Sequence, residues 1–344
     1  MLAPLRSRQR EDWVAGYTFL APAAIILLIF LVVPILFALW ISFRDWSGLN
    51  PPAQSTWVGL RNYADLLIQN NIRRTDFFIA LKNTTFYALG VVPLQTALAL
   101  LLASIVNQKW LKGRTFFRTS FYLPSITSSV AISLIFMWLY QRNGLINRLI
   151  EAIMLGNVQP INWLASPNGL IHNLLSLFGI TLRTAPPWLT HTEILGQTVW
   201  QWISGPSVAL TAIMLLNIWT TSGTMMLIFM AALQDIPRAV YEAAIMDGAT
   251  SAQTFRYVTV PMLRPTIFFV VTIGLIGTYQ VFDQVYVMTA GGPVKTTLTV
   301  AYLVYRNGFD NAAMGVGAAT AFILFVLIFV LTLIQRRVIG EKAA

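Results

Sequence analysis

Few side chains in this 344-residue sequence could do chemistry in an apolar setting, and most of them are uncharged. Ser125, Ser129 and Ser133 recur at i, i+4 and i+8. Asn217, Thr221 and Thr224 follow i, i+4 and i+7, and Gly274 precedes Thr278 by one turn, with Tyr279 and Gln280 one step round. On a helix each set makes one stripe. Uncharged hydroxyl and amide stripes suit a neutral, hydroxyl-bearing solute better than an ion; the same small residues equally serve close helix packing. Asn217 stands out, because an amide in mid-span needs a partner. Asp283 is the only acid within an apolar run, where a carboxylate ordinarily suggests a proton or cation relay. It lies about 18 residues past Pro265, or roughly 27 Å along a helix. That places it, with the neighbouring Gln280, near an interface and favours a gating or structural role.

Catalysis has no comparable foundation. The chain has no cysteine, which excludes disulfides, thiolate metal sites and a Cys nucleophile, and His172 and His191 are too few for a His-based metal site. No G-x-x-x-x-G-K-[ST] phosphate loop occurs, nor any recognisable Ser/His/Asp triad or carboxylate pair. The chain is therefore expected not to be an enzyme and to hold no cofactor; energy would come from another chain.

The elements that must position these residues follow from composition. Hydrophobic residues make up 56% of the chain and charged residues only 10%, against about 25% charged in a soluble domain. Apolar runs long enough to cross a bilayer occur at about 17–43, 83–106, 119–140, 206–233, 265–289 and 311–335, which predicts an all-α polytopic membrane protein with six transmembrane helices. The first run is too long for a signal peptide and reads as a retained anchor. Placing both termini in the cytoplasm puts 13 of the 23 Lys and Arg in the shorter inside segments, as the positive-inside rule requires. The short loop with Lys109, Lys112, Arg114 and Arg118 is the clearest vote. The organisation is then a cytoplasmic segment 1–16, spans 17–140, an enlarged extracytoplasmic loop 141–205, spans 206–335 including a cytoplasmic loop 234–264, and a cytoplasmic tail 336–344. Net charge +10 thus reflects topology and not nucleic acid.

Charges gather again between spans four and five. Asp235-Ile236-Pro237 reads as a helix start with Asp235 as N-cap, residues 238–247 as a helix with Tyr241, Ala244 and Ile245 on one face, and Gly248 as its C-cap. A second short helix over 251–257 ends near Pro261. The outer loop holds an apparent 25-residue duplication: Gly144-Leu-Ile, Leu149 and Trp163-Leu164 recur as Gly169-Leu-Ile, Leu174 and Trp188-Leu189. Each copy reads as a short amphipathic helix, a turn and a Trp-Leu anchor, serving either contact with a solute-binding protein or packing on the outer membrane interface. In span six, Gly315 with Ala319 and Gly317 with Ala321 argue for close packing.

Glu242-Ala243-Ala244, Asp247-Gly248-Ala249 and Val260-Pro261 resemble the EAA loop of binding-protein-dependent ABC importer permeases. Residues 280–293 and Phe19-Leu-Ala-Pro22 with Ile41-Ser42-Phe43 are similar to span five and span one of carbohydrate permeases, and most closely to the maltose-permease-like subunit. The resemblance implies a type I importer permease fold in a bacterial cytoplasmic (inner) membrane. It also implies a paralogous permease as heterodimer partner, two ATPase subunits carrying ATP and Mg, an extracytoplasmic solute-binding protein and a sugar substrate. In that family the EAA helix docks on the ATPase, which assigns coupling to Glu242, Ala243, Ala244, Asp247, Gly248 and Pro261: Glu242 offers a charge-assisted partner, the alanines permit close approach, and Gly248 a sharp exit. Ser125, Ser129, Asn217, Thr221, Gly274 and Thr278 fall where the maltose-type subunit lines its sugar site. Rival readings are a permease for glycerol-phosphate or another polyol derivative, and an ion-coupled secondary transporter. The first calls for Lys or Arg in spans three to five and the second for inverted repeats and buried ionisable groups; neither is evident.

Overall fold

A computed structural model of the chain describes residues 3–108, 110–156 and 159–339, with side chains described from Asp12 and up to Val338. Lys109 and the end of the tail, 340–344, lie outside the described residues. Five helices are long and apolar enough to cross a membrane, and a bent pair makes a sixth. The chain divides into two compact units.

The smaller unit combines residues 1–64 with 304–322. Its long apolar helix α1 (Asp12–Ser42) accommodates Pro22 and a π-turn at Leu28–Val32. A two-residue antiparallel ladder pairs Arg44 with Trp57, and the buried Asn62 amide ties it down by donating to the Ser42 and Arg44 carbonyls, both at 2.9 Å. Gly315 packs directly on the Arg44 carbonyl, and its N–H reaches the Trp46 carbonyl at 3.3 Å. The small residues of span six thus do permit close approach, against backbone of this hairpin.

The larger unit is 65–303 with 323–344. Its centre is α2 (Ile72–Val106), which begins a full eleven residues before the expected span because Asn71 caps it by accepting the Arg74 N–H at 2.8 Å. Two charges in that extension form ion pairs, Arg73 with Asp65 at 2.9 Å and Asp76 with Lys295.

The third span is two helices, α3 (Arg114–Ile126) and α4 (Ser129–Leu139), bent by 99°. Pro124 supplies no N–H to the ladder, while the Ser125 and Thr127 hydroxyls donate to the Tyr122 and Leu123 carbonyls at 2.7 and 2.9 Å. These side chains satisfy the helix end, and Thr127 and Ser128 turn extended. The single stripe expected from Ser125, Ser129 and Ser133 is therefore corrected: Ser125 sits on α3 and the other two on α4.

The repeated helices of the outer loop are α5 (Leu145–Ile153) and α6 (Leu170–Leu177), each entered through an extended glycine, Gly144 and Gly169. The copies are not equivalent in packing. Asn147 of the first is buried, donates to the Gln141, Arg142 and Ile161 carbonyls, and accepts from the Ile161 N–H and Trp163 Nε1. The matching position of the second is His172, stacked on Trp200 with centroids 4.2 Å apart. Trp188, the partner of Trp163, is 64% exposed.

Helix α7 (Val208–Asp235), capped by Ser207, packs along α2 through Ala99, Ala103, Met226 and Phe229, all fully buried. Small residues on one helix facing large ones on the other let the axes approach. Asp235 is the last residue of α7 and not an N-cap; the loop helix α8 (Arg238–Met246) starts after Pro237 without a side-chain cap. Past Gly248 a new helix begins at Ser251, capped by Thr250, and continues through a π-turn at Phe255–Thr259 and through Val260–Met262. Pro261 thus lies inside a helical turn instead of ending one, where a first-turn proline forfeits no bond. Span five is α9 (Arg264–Tyr279), interrupted at 280–282 and resumed as α10 (Asp283–Met288).

Candidate functional site

Where α3, α4, α7, α9 and α10 converge they form a half-open cavity of about 370 Å³. Both halves of the bent third span line it, through Ser125 on one side of the bend and Ser129 and Ile132 on the other. Its polar lining is Ser125, Thr127, Ser129, Thr220, Thr221, Thr224 and Gln284, interleaved with apolar side chains such as Ile132, Leu216 and Ile273. No charged residue is among the lining residues. Of the six path residues read from sequence, Ser125, Ser129 and Thr221 reach this wall. Asn217 is half-buried one turn away, and its carbonyl accepts from the Thr220 and Thr221 hydroxyls at 3.0 and 2.7 Å.

Gly274 and Thr278 are displaced from the wall. Thr278 is 3% exposed and donates to its own helix at the Leu275 carbonyl. Gly274 faces α2, where a Cβ would fall on the amide nitrogen of Gln95. Gln95 is the residue that the sequence reading missed. It is 1% exposed, its Oε1 accepts the Thr221 hydroxyl at 2.7 Å, and its Nε2 finds no partner among the described residues. The argument that singled out Asn217, a mid-span amide in search of a partner, applies to Gln95 with more force.

Asp283 is exposed, in the first turn of α10, and accepts the Ser129 hydroxyl at 2.6 Å. Gln280 is exposed in the interruption before it. The bond pins α4 to α10 across one end of the cavity, so a carboxylate at a break between helices replaces the picture of an acid within a continuous span.

At the other feature, α8 packs inward with Ala244, 8% exposed, and with Tyr241, whose hydroxyl lies 3.2 Å from the Thr259 hydroxyl. Glu242, Ala243 and Asp247 point outward, and Pro261 is half-buried. Ile245, expected on the inner face, is instead 68% exposed and adjoins Met246 at 86%; the helix ends at Met246, and its last turn rotates both side chains away from the core. Gly248 closes the helix with φ +75°, and the Ala249 N–H returns to the Ala244 carbonyl at 3.0 Å, as a left-handed C-terminal stop requires. The product is an exposed patch of two carboxylates, Glu242 and Asp247, beside two large apolar side chains, with no ion pair to either carboxylate among the described residues.

Apolar spans with an uncharged pocket between three of them are the features of a membrane transport subunit. Residues 95–340 match the model of the binding-protein-dependent transport system inner membrane component family, and the chain belongs to that family. The probable ABC transporter permease protein YesP of Bacillus subtilis (strain 168) is 32% identical over 94% of this chain and 90% of its own. The lactose transport system permease protein LacF of Rhizobium radiobacter is 30% identical over 96% of this chain and 95% of its own. The trehalose/maltose transport system permease protein MalF of Thermococcus litoralis (strain ATCC 51850 / DSM 5473 / JCM 8560 / NS-C) is 28% identical, over 94% and 92%. Among solved structures, a chain of a bacterial ABC transporter involved in the import of the acidic polysaccharide alginate superposes with TM-score 0.70 at 22% identity over 98% of both chains. The fold is that of type I importer permeases.

Proposed function

We propose that this chain forms, with a paralogous permease, the translocation path of an ATP-driven importer for a sugar or similar neutral solute delivered by an extracytoplasmic binding protein. The observation that carries the reading is the hydroxyl-lined, uncharged cavity inside the bundle. Its volume is at the lower end of small-ligand sites, as befits one wall of a site shared with a second subunit. Relatives named for lactose, trehalose/maltose and arabinooligosaccharides support the cargo class.

In this reading both termini and α8 lie on the cytoplasmic side. The outward patch of Glu242, Ile245 and Met246 docks on an ATPase that carries ATP and Mg; Ala243, Asp247, Gly248 and Pro261 shape that contact. ATP binding moves α8, and the bundle rotates to expose the cavity outward. The Ser129–Asp283 bond, with Gln280 in the adjoining break, gates that end. Hydrolysis returns the cavity inward.

The test is reconstitution of this chain with the neighbouring permease, ATPase and binding protein in proteoliposomes, measuring ATP hydrolysis with lactose, trehalose, maltose and arabinotriose. Stimulation by at least one loaded binding protein is expected. No stimulation by any of them, from a complex that assembles and hydrolyses ATP, would refute the sugar reading.

A further inference from the structure

The cavity wall has a chemical polarity that its composition conceals. A hydroxyl carries one proton and two lone pairs, whereas a carbonyl or an ionised carboxylate can only accept. Five of the six hydroxyls lining the cavity already give their proton to the protein. Ser125 donates to the Tyr122 carbonyl at 2.7 Å, Thr127 to Leu123 at 2.9 Å, and Thr220 to Asn217 at 3.0 Å. Ser129 donates to the Asp283 carboxylate at 2.6 Å. Thr221 has two acceptors competing for one proton, the Asn217 carbonyl and Gln95 Oε1, each at 2.7 Å.

We infer that this chain's wall of the path is predominantly an array of acceptors, favouring solutes that offer hydroxyl or ammonium donors over solutes that offer only carboxylate or phosphate oxygens. The inference rests on the proposed role of the cavity as the solute path and narrows its substrate class. The protons of Ser125, Thr220 and Thr221 are held at partly buried acceptors, whose orphaning carries its own desolvation cost. What remains toward the cavity is mostly lone pairs, the Thr224 hydroxyl and the Gln284 amide being the donors left in the lining. A sugar hydroxyl meets the lone pairs by donating; a carboxylate meets most of the wall oxygen to oxygen, with no Lys or Arg in the lining. Asp283, immediately outside, adds its negative charge to the same preference. Gln95 acts as a positioning residue here: it draws the Thr221 proton away from the cavity from a neighbouring helix, so Thr221 keeps its polarity even if the bond within its own helix loosens.

The experiment is uptake by the complete importer in proteoliposomes of maltose, trehalose and lactose. Each is compared with its 6-amino-6-deoxy derivative, a donor at that position, and with its 6-uronate, an acceptor there. Every rate is normalised to the affinity of the isolated binding protein for the same compound. For any parent sugar transported, the amino derivative is expected to stay near the parent, and the uronate to fall by about tenfold or more, the ratio expected for one lost hydrogen bond to a charged group. A uronate carried as well as its parent, or an amino sugar rejected as strongly as the uronate, would overturn the inference while leaving the sugar reading intact. Failure of all three parents and of arabinotriose overturns both.

Discussion

Replacing Gly274 by alanine would drive a methyl group onto the buried amide nitrogen of Gln95. That atom ends a flexible side chain, yet it is not free to leave: Gln95 is 1% exposed and tied to Thr221 at 2.7 Å. Withdrawal breaks the tie, at about 0.5–1.5 kcal/mol, and overpacks the site by about 1–3 kcal/mol. Against this, alanine is favoured over glycine in a helix by about 1 kcal/mol. The net expectation is a loss of about 0.5–3.5 kcal/mol. Gln95→Ala removes the obstacle, so Gly274→Ala on that background should be neutral or stabilising, giving a coupling of at least about 0.5–3.5 kcal/mol in a double-mutant cycle. Gly277→Ala, with nothing within 4 Å of its Cβ, is the control and should not destabilise. Reversible unfolding in bicelles, titrated with denaturing detergent, measures all four. Additivity of the two substitutions within about 0.5 kcal/mol would show that Gln95 and Gly274 are not in contact and would return Gly274 to the solute path.

Three further outcomes follow from other parts of the chain. Glu242→Lys should leave insertion intact but abolish stimulation of ATP hydrolysis by the loaded binding protein; unaltered stimulation would remove α8 from the ATPase contact. Asn147→Ala orphans the Ile161 N–H, the Trp163 Nε1–H and the Arg142 and Ile161 carbonyls, while the Gln141 carbonyl keeps the Gly144 N–H, at about 1–3 kcal/mol for each orphan where burial persists, so the loop after α5 should become susceptible to limited proteolysis. His172→Ala should loosen its own segment less. Burial against Trp200, and then the nearby Lys82, hold the His172 imidazole below its ordinary value of 6.5, partly offset by its bond to the Trp200 carbonyl. Protonation therefore favours the unfolded segment, and its stability is intact above pH 6.5 and declines below it. Hydrogen exchange over 169–202 that does not quicken on acidification would contradict this.

The span count and the polar segments were readable because a bilayer imposes length and hydropathy on any helix within it. What patterning missed is what depends on backbone breaks. Ser125, Ser129 and Ser133 keep helical spacing in sequence, yet the chain turns by 99° between the first and second. Pro124 alone does not announce this, since Pro93 lies inside the unbroken α2; the difference is the run of hydroxyls, Ser125 to Ser129, able to satisfy freed carbonyls. Asp283 looked like an intramembrane acid for the same reason, until the interruption at 280–282 placed it at a helix start. Gln95 was readable and passed over. Ile245 shows the limit of periodicity at a helix end, where one turn of rotation decides inward or outward.

Because the natural chain contains no cysteine, a single thiol can report on the cavity without background from this subunit. Thr224 lines the cavity and is exposed. In Thr224→Cys, assembled with its partners, a membrane-impermeant thiol reagent should label the site from one face of the membrane without nucleotide and from the opposite face when ATP and vanadate trap the complex, with transported sugar protecting it. Labelling from the same face in both states, or none in either, would contradict the claim that this cavity is the alternating path.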